Sequence, residues 1–141
     1  MSAPARSAHD FFGVHVPFLA WLDVHGIAWT EGSARLELTM RPELMNSLGA
    51  AHGGVVCTLL DVAMAAAARS DDPASRVVTI DMSVQFVRPG AGVLTAEGRL
   101  SRLTKSLAFC QGELRDASGE LLAQSHGMFK RVRPGRGDGD G

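Results

Sequence analysis

This sequence has few cysteines, no long apolar run and no excess of charge, and each absence excludes a class of protein. Its 141 residues include two cysteines, Cys57 and Cys110, each inside an apolar segment and without the spacing of a metal site. This pattern favours buried thiols in a reducing compartment over disulfides or a zinc site. No apolar stretch approaches the roughly 18 residues of a membrane span, and the first residues lack the apolar region of a signal peptide. We therefore expect a soluble, cytoplasmic protein that does not enter a membrane.

The charge balance argues against nucleic acid or an anionic membrane as a partner. Lys and Arg total 14 and Asp and Glu total 15, a net charge of -1, whereas a polyanion held by bulk electrostatics requires a basic excess. The sequence also lacks the motifs GxSxG, GxGxxG and HExxH and the P-loop. His15, His25 and His126 are too scattered to indicate a metal site. We expect a small-molecule partner, no cofactor and no metal.

The length fits one domain that buries about two-thirds of its unfolded surface. We place this domain at residues 1–133 and expect residues 134–141, a Gly- and Asp-rich tail, to be disordered. An aromatic cluster at residues 8–22 contains Gly13 and Pro17 and predicts one or two short helical turns.

Apolar and polar residues alternate in two segments, which predicts β-strands. The first covers residues 33–40, and the second runs from residue 76 to Pro89, where the missing amide hydrogen stops the ladder. In the second strand the alternation places five apolar side chains on one face: Val78, Ile80, Met82, Val84 and Phe86. Three further strands joined by short turns form a meander: "GVLTAEGRLSRL", "SLAFCQGELRD" and "ELLAQSHGMFKRV".

Residues 54–68 predict the central element of the fold. They contain only two polar side chains, Thr58 and Asp61, and are otherwise rich in Ala, Leu and Met, as in a helix about 22 Å long. A helix that is apolar nearly all round has to be surrounded by protein. One antiparallel sheet curved around this helix would bury both, so the predicted fold class is α+β. Because open sheet edges are normally covered or paired, we expect a homo-oligomer.

The start of this helix offers backbone amides to a ligand. The N–H groups of a first helical turn point outward at the positive end of the helix dipole. Gly53 and Gly54 stand there without side chains, so a ligand oxygen can approach closely. A tight turn from loop to helix explains the two glycines equally well.

Asp61 is the most informative residue, because a carboxylate on an apolar helix is costly to bury unless it is paired, hydrogen-bonded or protonated. It either caps a loop or faces solvent, or it is an active-site acid that attacks or deprotonates water. Asp61 lies about 10 Å along the helix from Gly54, too far for one carbonyl group to touch both ends. A site shared by two subunits would bring Gly53 of one chain to Asp61 of the other.

Two residues before the helix complete the candidate site. His52 alone fits a hydrogen-bonded structural histidine better than a catalyst. Asn46 would either fix a water molecule or brace the glycine turn. Neither residue is diagnostic by itself.

The sequence combines a motif around the start of the helix with two later segments. The motif consists of Asn46, Gly49, the run His52-Gly53-Gly54, Leu59 and Asp61, and the segments are "VTIDMSVQFVRP" and "DASGELLAQSHGMF". This combination resembles the hotdog-fold acyl-CoA thioesterases, specifically the phenylacetate-pathway and 4-hydroxybenzoyl-CoA thioesterase group. The resemblance runs from about residue 25 to 131. It implies hydrolysis of an acyl-CoA to a free acid and coenzyme A, on a curved antiparallel sheet wrapped around one long central helix.

The resemblance also implies a role for each residue of the motif. Gly53 would donate its N–H to the thioester carbonyl, and loss of such a donor typically costs about 3 to 4 kcal/mol of transition-state stabilisation. Asp61 of the other subunit would be the nucleophile or general base. Asn46 would orient the water, and His52 would hold the loop and assist the leaving thiolate. The family further implies dimers that pair their sheets edge to edge and join into tetramers.

Substrate contacts are less strongly indicated. Some members place a hydroxyl residue one turn after the acid, where this chain has Ala65. We assign Arg88, Lys105 and Ser106 to the phosphates of coenzyme A, although charged loops are usually just solvated, and we count Gly54 among the substrate-binding residues. We expect an apolar acyl pocket beside the helix, with Phe11, Phe12, Phe18 and Trp21 as candidates that also fit a plain core role.

Two other functions fit the same fold. Acyl-thioester dehydratases and hydratases pair a histidine with an acid, which His52 and Asp61 would also allow. A non-catalytic acyl-CoA sensor would be expected to lack the acid or to carry a DNA-binding segment, neither of which fits this sequence. The sequence leaves the acyl group open among aromatic, short-chain and medium-chain types.

Overall fold

The computed structural model of the protein describes residues 11–133. The predicted disordered tail and the first residues of the aromatic cluster lie outside this range. The described elements are α1 Pro17–Leu22, β1 His25–Thr30, β2 Ser33–Thr39, a 3-10 turn Pro42–Leu44, α2 Gly53–Ala68, β3 Arg76–Phe86, β4 Val93–Leu103, β5 Leu107–Arg115 and β6 Leu121–Val132. No helix within these residues is long and apolar enough to cross a membrane.

The six strands form one antiparallel sheet in the order β1-β2-β4-β5-β6-β3. This curved sheet with α2 packed against it is the α+β hotdog architecture that the sequence predicted. The meander of β4, β5 and β6 is also confirmed. Strand β3 does not pair with β4, the next strand along the chain, but lies beyond β6 at the edge of the sheet. The long strand β3 therefore has one unpaired side among the described residues.

A β-bulge divides β3 into two parts with opposite orientation. The register with β6 shifts between Thr79 and Asp81, so Ile80 is an extra residue without a cross-strand partner. Before the bulge Val77 packs toward α2, whereas after it Met82 and Val84 do. The prediction of one continuous apolar face was therefore wrong, because one inserted residue reverses the alternation. Val78 and Ile80 are 52% and 51% exposed instead.

Helix α2 covers the concave face of the sheet. Leu59, Leu60, Ala63 and Met64 are fully buried against it. The close approach depends on Gly98 of β4, where an added Cβ would lie only 2.2 Å from the Ala63 carbonyl oxygen. The opposite side of α2 is half-exposed along a stripe formed by Cys57, Thr58, Asp61, Val62 and Ala65. The helix is thus not surrounded by protein within one chain, contrary to the prediction.

The two cysteines differ in burial, because Cys110 lies between the sheet and α2 and Cys57 lies on the outer side of the helix. Cys110 is buried, and its Sγ lies 3.5 Å from the Met64 carbonyl oxygen. Burial raises the pKa of the Cys110 thiol to about 12. Cys57, which was expected in the core, lies on the half-exposed stripe of α2 instead.

Candidate active site at the start of the central helix

The first turn of α2 leaves one backbone amide unpaired. His52 is the N-cap residue, and its Nδ1 accepts the N–H of Gly54 at 2.8 Å. Its carbonyl oxygen accepts the N–H groups of Val55 and Val56. The N–H of Gly53 has no acceptor among residues 11–133. Gly53 is therefore the residue of this turn that can donate to a ligand, at the positive end of the helix dipole.

This amide lies at the edge of a pocket of about 310 Å³. A Cβ added to Gly53 would stand 3.7 Å from the Phe86 ring, in ordinary contact. We call it the Arg88 pocket; it is lined by Asn46, Ala50, Ala51, Gly53, Val56, Phe86, Val87, Arg88, Pro89, Gly90, Leu114 and Leu122. Its polar side chains are Asn46 and Arg88, and its floor is apolar.

Asn46 holds the loop that precedes α2. Its Oδ1 accepts the N–H groups of Leu48 at 2.9 Å and Ala50 at 3.1 Å, and its own N–H donates to the Ala50 carbonyl oxygen. The side-chain amino group donates no hydrogen bond among the described residues. Asn46 thus braces the turn through its oxygen and keeps two donor hydrogens that can bind a ligand.

A second pocket lies on the other side of the His52–Gly54 segment, also with a volume of about 310 Å³. We call it the aromatic pocket; it is lined by Phe18, Trp21, Leu22, Glu43, Leu44, Met45, His52, Gly54, Val55 and Thr58. Phe18 and Trp21 of α1 are 54% and 61% exposed. Large apolar side chains with this exposure are typical of a binding surface.

Only two of the four aromatic candidates reach this pocket. Phe11 is 6% exposed and lies edge-on to Phe12, whose ring packs 5.3 Å from that of Trp29. The buried Arg69 donates to the Phe12 carbonyl oxygen and stacks over Trp29. Burial lowers the pKa of Arg69, with a smaller contribution from Arg76. These contacts place Phe11 and Phe12 in the core at the far end of α2.

Asp61 lies on the half-exposed stripe of α2, where it contacts the edge strand. The Thr79 hydroxyl donates a hydrogen bond of 2.7 Å to Asp61 Oδ1. The sequence reasoning missed Thr79, although a hydroxyl residue at a polar position of β3 was a usable signal. Asp61 follows Gly53 by eight residues, or about 12 Å along the helix. One protomer therefore does not bring the acid to the free amide.

The residues assigned to coenzyme A are also separated. Arg88 lies in the Arg88 pocket and is exposed, with its Nη1 3.5 Å from Glu120 Oε1. Lys105 and Ser106 form the exposed turn between β4 and β5. The Ser106 carbonyl oxygen accepts the N–H of Arg131, which pairs with Asp71 just beyond the end of α2. Lys105 and Ser106 thus lie at the opposite end of the sheet from Arg88, and their role stays a prediction.

The family model described as "Thioesterase superfamily" matches residues 48–123 of the chain, which include the start of α2 and Asp61. A provisionally named esterase of Halobacterium salinarum is 30% identical over 127 residues, 82% of this chain and 84% of that protein. Another from Saccharolobus solfataricus is 27% identical over 134 residues, 94% and 96% of the two chains.

Solved structures are similar over the same region. The Escherichia coli PaaI protein, described as coming from the phenylacetic acid degradation operon, superposes with a TM-score of 0.76 and 25% identity. The match covers 82% of this chain and 83% of that one. A Haemophilus influenzae thioesterase gives a TM-score of 0.76 at 20% identity over 82% of each chain, a likeness that concerns the fold alone.

Proposed function

Because the chain belongs to the thioesterase superfamily, we propose that it hydrolyses the thioester of an acyl-CoA to a free acid and coenzyme A. The observation that carries this proposal is the unpaired Gly53 amide at the start of α2 together with a hydrogen-bonded carboxylate, Asp61, on the same helix. The Gly53 amide suits a carbonyl oxygen that gains negative charge. The Asp61 carboxylate suits attack on a carbonyl carbon or activation of water.

The site forms between two copies of the chain. Within one protomer about 12 Å of helix separates Gly53 from Asp61, whereas Asp61 lies directly against the unpaired edge of β3. Two β3 strands that pair antiparallel at this edge would bring Asp61 and Thr79 of one subunit toward Phe86 and Gly53 of the other. The exposed Val78 and Ile80 and the half-exposed stripe of α2 support such a contact.

The chemistry follows from these positions. The Gly53 N–H polarises the thioester carbonyl and stabilises the oxyanion. Asp61 either attacks the carbonyl carbon, giving a mixed anhydride that water later hydrolyses, or removes a proton from a water molecule that attacks the same carbon. In both routes the carbon–sulfur bond breaks and coenzyme A leaves as a thiolate. Thr79 holds one carboxylate oxygen, so the other can face the substrate.

Two other residues position the reacting groups. His52 caps α2 and occupies the Gly54 amide, which leaves the Gly53 amide as the free donor of the turn. Since His52 Nδ1 accepts a hydrogen bond, the neutral imidazole carries its proton on Nε2. Asn46 braces the loop and offers its amino group to water or substrate. Arg88, close to Gly53 in the Arg88 pocket, suits the phosphates of coenzyme A.

The first test measures thiol release from a panel of acyl-CoAs that includes phenylacetyl-CoA, a hydroxybenzoyl-CoA and straight-chain substrates. Similarity to PaaI supports including the aryl substrates. The Asp61→Asn variant should fold and associate normally and lose most of its turnover, because the substitution keeps the size of the side chain and removes its basic oxygen. Full activity in this variant would contradict the role of Asp61.

The second test asks whether two subunits share one site. Asp61→Asn and Gly53→Pro chains with different tags are coexpressed, and mixed dimers are purified through both tags. A shared site predicts that each mixed dimer keeps one intact site and about half of the wild-type activity. Two inactive sites would show instead that both residues act within one chain.

If the wild-type protein releases no thiol in the first test, two further assays distinguish the other functions of this fold. A folded wild-type protein that releases no thiol but hydrates an enoyl-CoA would be a hydratase that uses His52 and Asp61. One that binds acyl-CoA and transforms none of the panel would be a sensor.

A further inference from the structure

We infer that the two pockets beside the first turn of α2 divide the substrate between them, an assignment that rests on the proposed function. The Arg88 pocket takes the coenzyme A arm. The aromatic pocket takes the acyl group and selects a compact hydrophobic one, such as a single-ring aryl or a medium-length alkyl group. Phe18 and Trp21 are then the specificity-determining residues.

The position of Gly53 supports this division. The free amide fixes the thioester carbonyl, so the acyl carbon and the sulfur atom have to leave it in different directions. Gly53 lines the Arg88 pocket, and its neighbours His52 and Gly54 line the aromatic pocket. A carbonyl bound at the first turn of α2 therefore has one pocket on each side of it.

The charged side chains of the two pockets indicate which pocket takes the coenzyme A arm. The Arg88 pocket contains a cation, Arg88, and no carboxylate in its lining. The aromatic pocket has one ionised side chain in its lining, Glu43, and no cation. Each charge has a partner outside these linings, since Arg88 pairs with Glu120 and Glu43 with Arg41. Arg88 is nevertheless the guanidinium that lines one of these two pockets, so a phosphate-bearing arm finds its ion-pair partner in the first pocket.

The aromatic pocket has a wall that is already fixed. Arg41 donates to the carbonyl oxygens of Leu22 and Trp21, both at 2.8 Å, and its guanidinium lies 5.1 Å from the Trp21 ring centroid. A salt bridge of 3.2 Å to Glu43 uses its Nε. Arg41 thus ties α1 to the turn Pro42–Leu44 and is already engaged with protein groups. An ordered aromatic wall needs little reorganisation when a ligand binds.

The volume of the aromatic pocket sets the size of the group. About 310 Å³ lies at the lower end of the range of small-molecule sites, about 300 to 1,000 Å³. Apolar side chains line most of it, among them Leu22, Met45 and Val55. An acetyl group would leave this surface in contact with water, whereas a compact hydrophobic group would cover it.

The test compares kcat/KM for phenylacetyl-, hexanoyl-, acetyl- and succinyl-CoA in Trp21→Ala, Phe18→Ala and Phe86→Ala variants. In Trp21→Ala or Phe18→Ala, the preference for phenylacetyl- or hexanoyl-CoA over acetyl-CoA should fall by about tenfold or more. Phe86→Ala, in the other pocket, should change all four substrates in parallel. The control is Phe109→Ala, an apolar side chain 36% exposed on the opposite face of the sheet.

The inference and the proposed function fail in different ways. If Phe86→Ala alters acyl preference and Trp21→Ala and Phe18→Ala do not, the pocket assignment is overturned while thioesterase activity stands. Dissociation of the oligomer by Trp21→Ala would mean that the aromatics contact another subunit, which also overturns it.

Calorimetry on the Asp61→Asn variant gives a readout that does not need turnover. Phenylacetyl-CoA should bind about tenfold or more tightly than free coenzyme A, and adding Trp21→Ala should remove that difference. If phenylacetyl-CoA binds more tightly in this way and the wild-type protein hydrolyses none of the acyl-CoAs, the pocket assignment is supported and the proposed hydrolysis is rejected. Equal binding of the two ligands would overturn the assignment.

Discussion

The Thr79 hydroxyl donates a hydrogen bond of 2.7 Å to Asp61 Oδ1, which joins the edge strand β3 to the outward face of α2. This contact orients a half-exposed carboxylate whose own helix offers it no partner in the described structure. One turn after Asp61 on α2 stands Ala65, which has no hydroxyl group to donate. The hydroxyl comes instead from the strand beside it.

Replacing Thr79 by Val should reduce kcat by about tenfold or more, because a hydrogen bond to a charged group is worth roughly 1.5 to 3 kcal/mol. Thr79→Ser keeps the hydroxyl and is the matched control. Steady-state kinetics and a thermal melt of both variants provide the measurement. The interpretation fails if Val and Ser have the same kcat, or if both lose activity through unfolding.

Gly53→Pro should remove the proposed carbonyl donor with little change to the fold. Proline is well tolerated at the first position of a helix, and His52, at φ −60° and ψ 140°, already has a backbone conformation suited to the residue before proline. We expect kcat to fall by about 100- to 1,000-fold.

Gly53→Ala is the control for that change, because it adds a methyl group and keeps the N–H. The added Cβ would make an ordinary contact of 3.7 Å with Phe86. Alanine should retain most of the activity that proline abolishes. An equal loss in both variants would point to crowding beside Phe86 and not to the amide.

Ile80→Lys should convert the oligomer into monomers. Ile80 is the bulge residue of the unpaired strand and is 51% exposed, so a charge there would have to be buried in the contact when two β3 strands pair. Light scattering after size-exclusion chromatography measures the mass, and activity should fall with dissociation. Leu103→Lys, at a 38% exposed position near the end of β4, should leave the mass unchanged.

Iodoacetamide should modify Cys57 well before Cys110 at pH 8 in the folded, monomeric Ile80→Lys variant, where no second subunit covers the half-exposed stripe of α2. Alkylation requires a thiolate, and burial raises the pKa of Cys110 to about 12. Cys57 lies on the half-exposed side of α2. Mass spectrometry of peptides, with and without denaturant, gives the order of reaction. Equal rates in the native state would contradict the buried position of Cys110.

Much of the fold follows from patterns that neighbouring residues carry. The apolar run predicts α2 from residue 54, and the structure begins it at Gly53. Alternation predicts β2, and the turns between the last three strands predict their meander. These elements were predictable because helix and hairpin contacts join residues that are close in the sequence.

Long-range packing decided what the periodicity could not. The bulge at Ile80 reversed the faces of β3, although no glycine marks it in the sequence. The position of β3 beside β6 placed Thr79 against Asp61, 18 residues away in the chain. Cross-strand register depends on which side chains fit against α2, and that fit involves many residues at once.

The aromatic cluster also combines features that the sequence predicts with features that only the tertiary structure decides. Its composition predicted apolar contacts, but Arg69 and Trp29 hold Phe12 in the core, while Arg41 fixes Trp21 at the surface. The sequence by itself determined the main elements and the glycine-rich start of α2, because these features are local. The tertiary structure alone decided the partner of Asp61, the open edge at β3 and the two pockets beside Gly53, because each depends on segments that meet only after the sheet has folded around the helix.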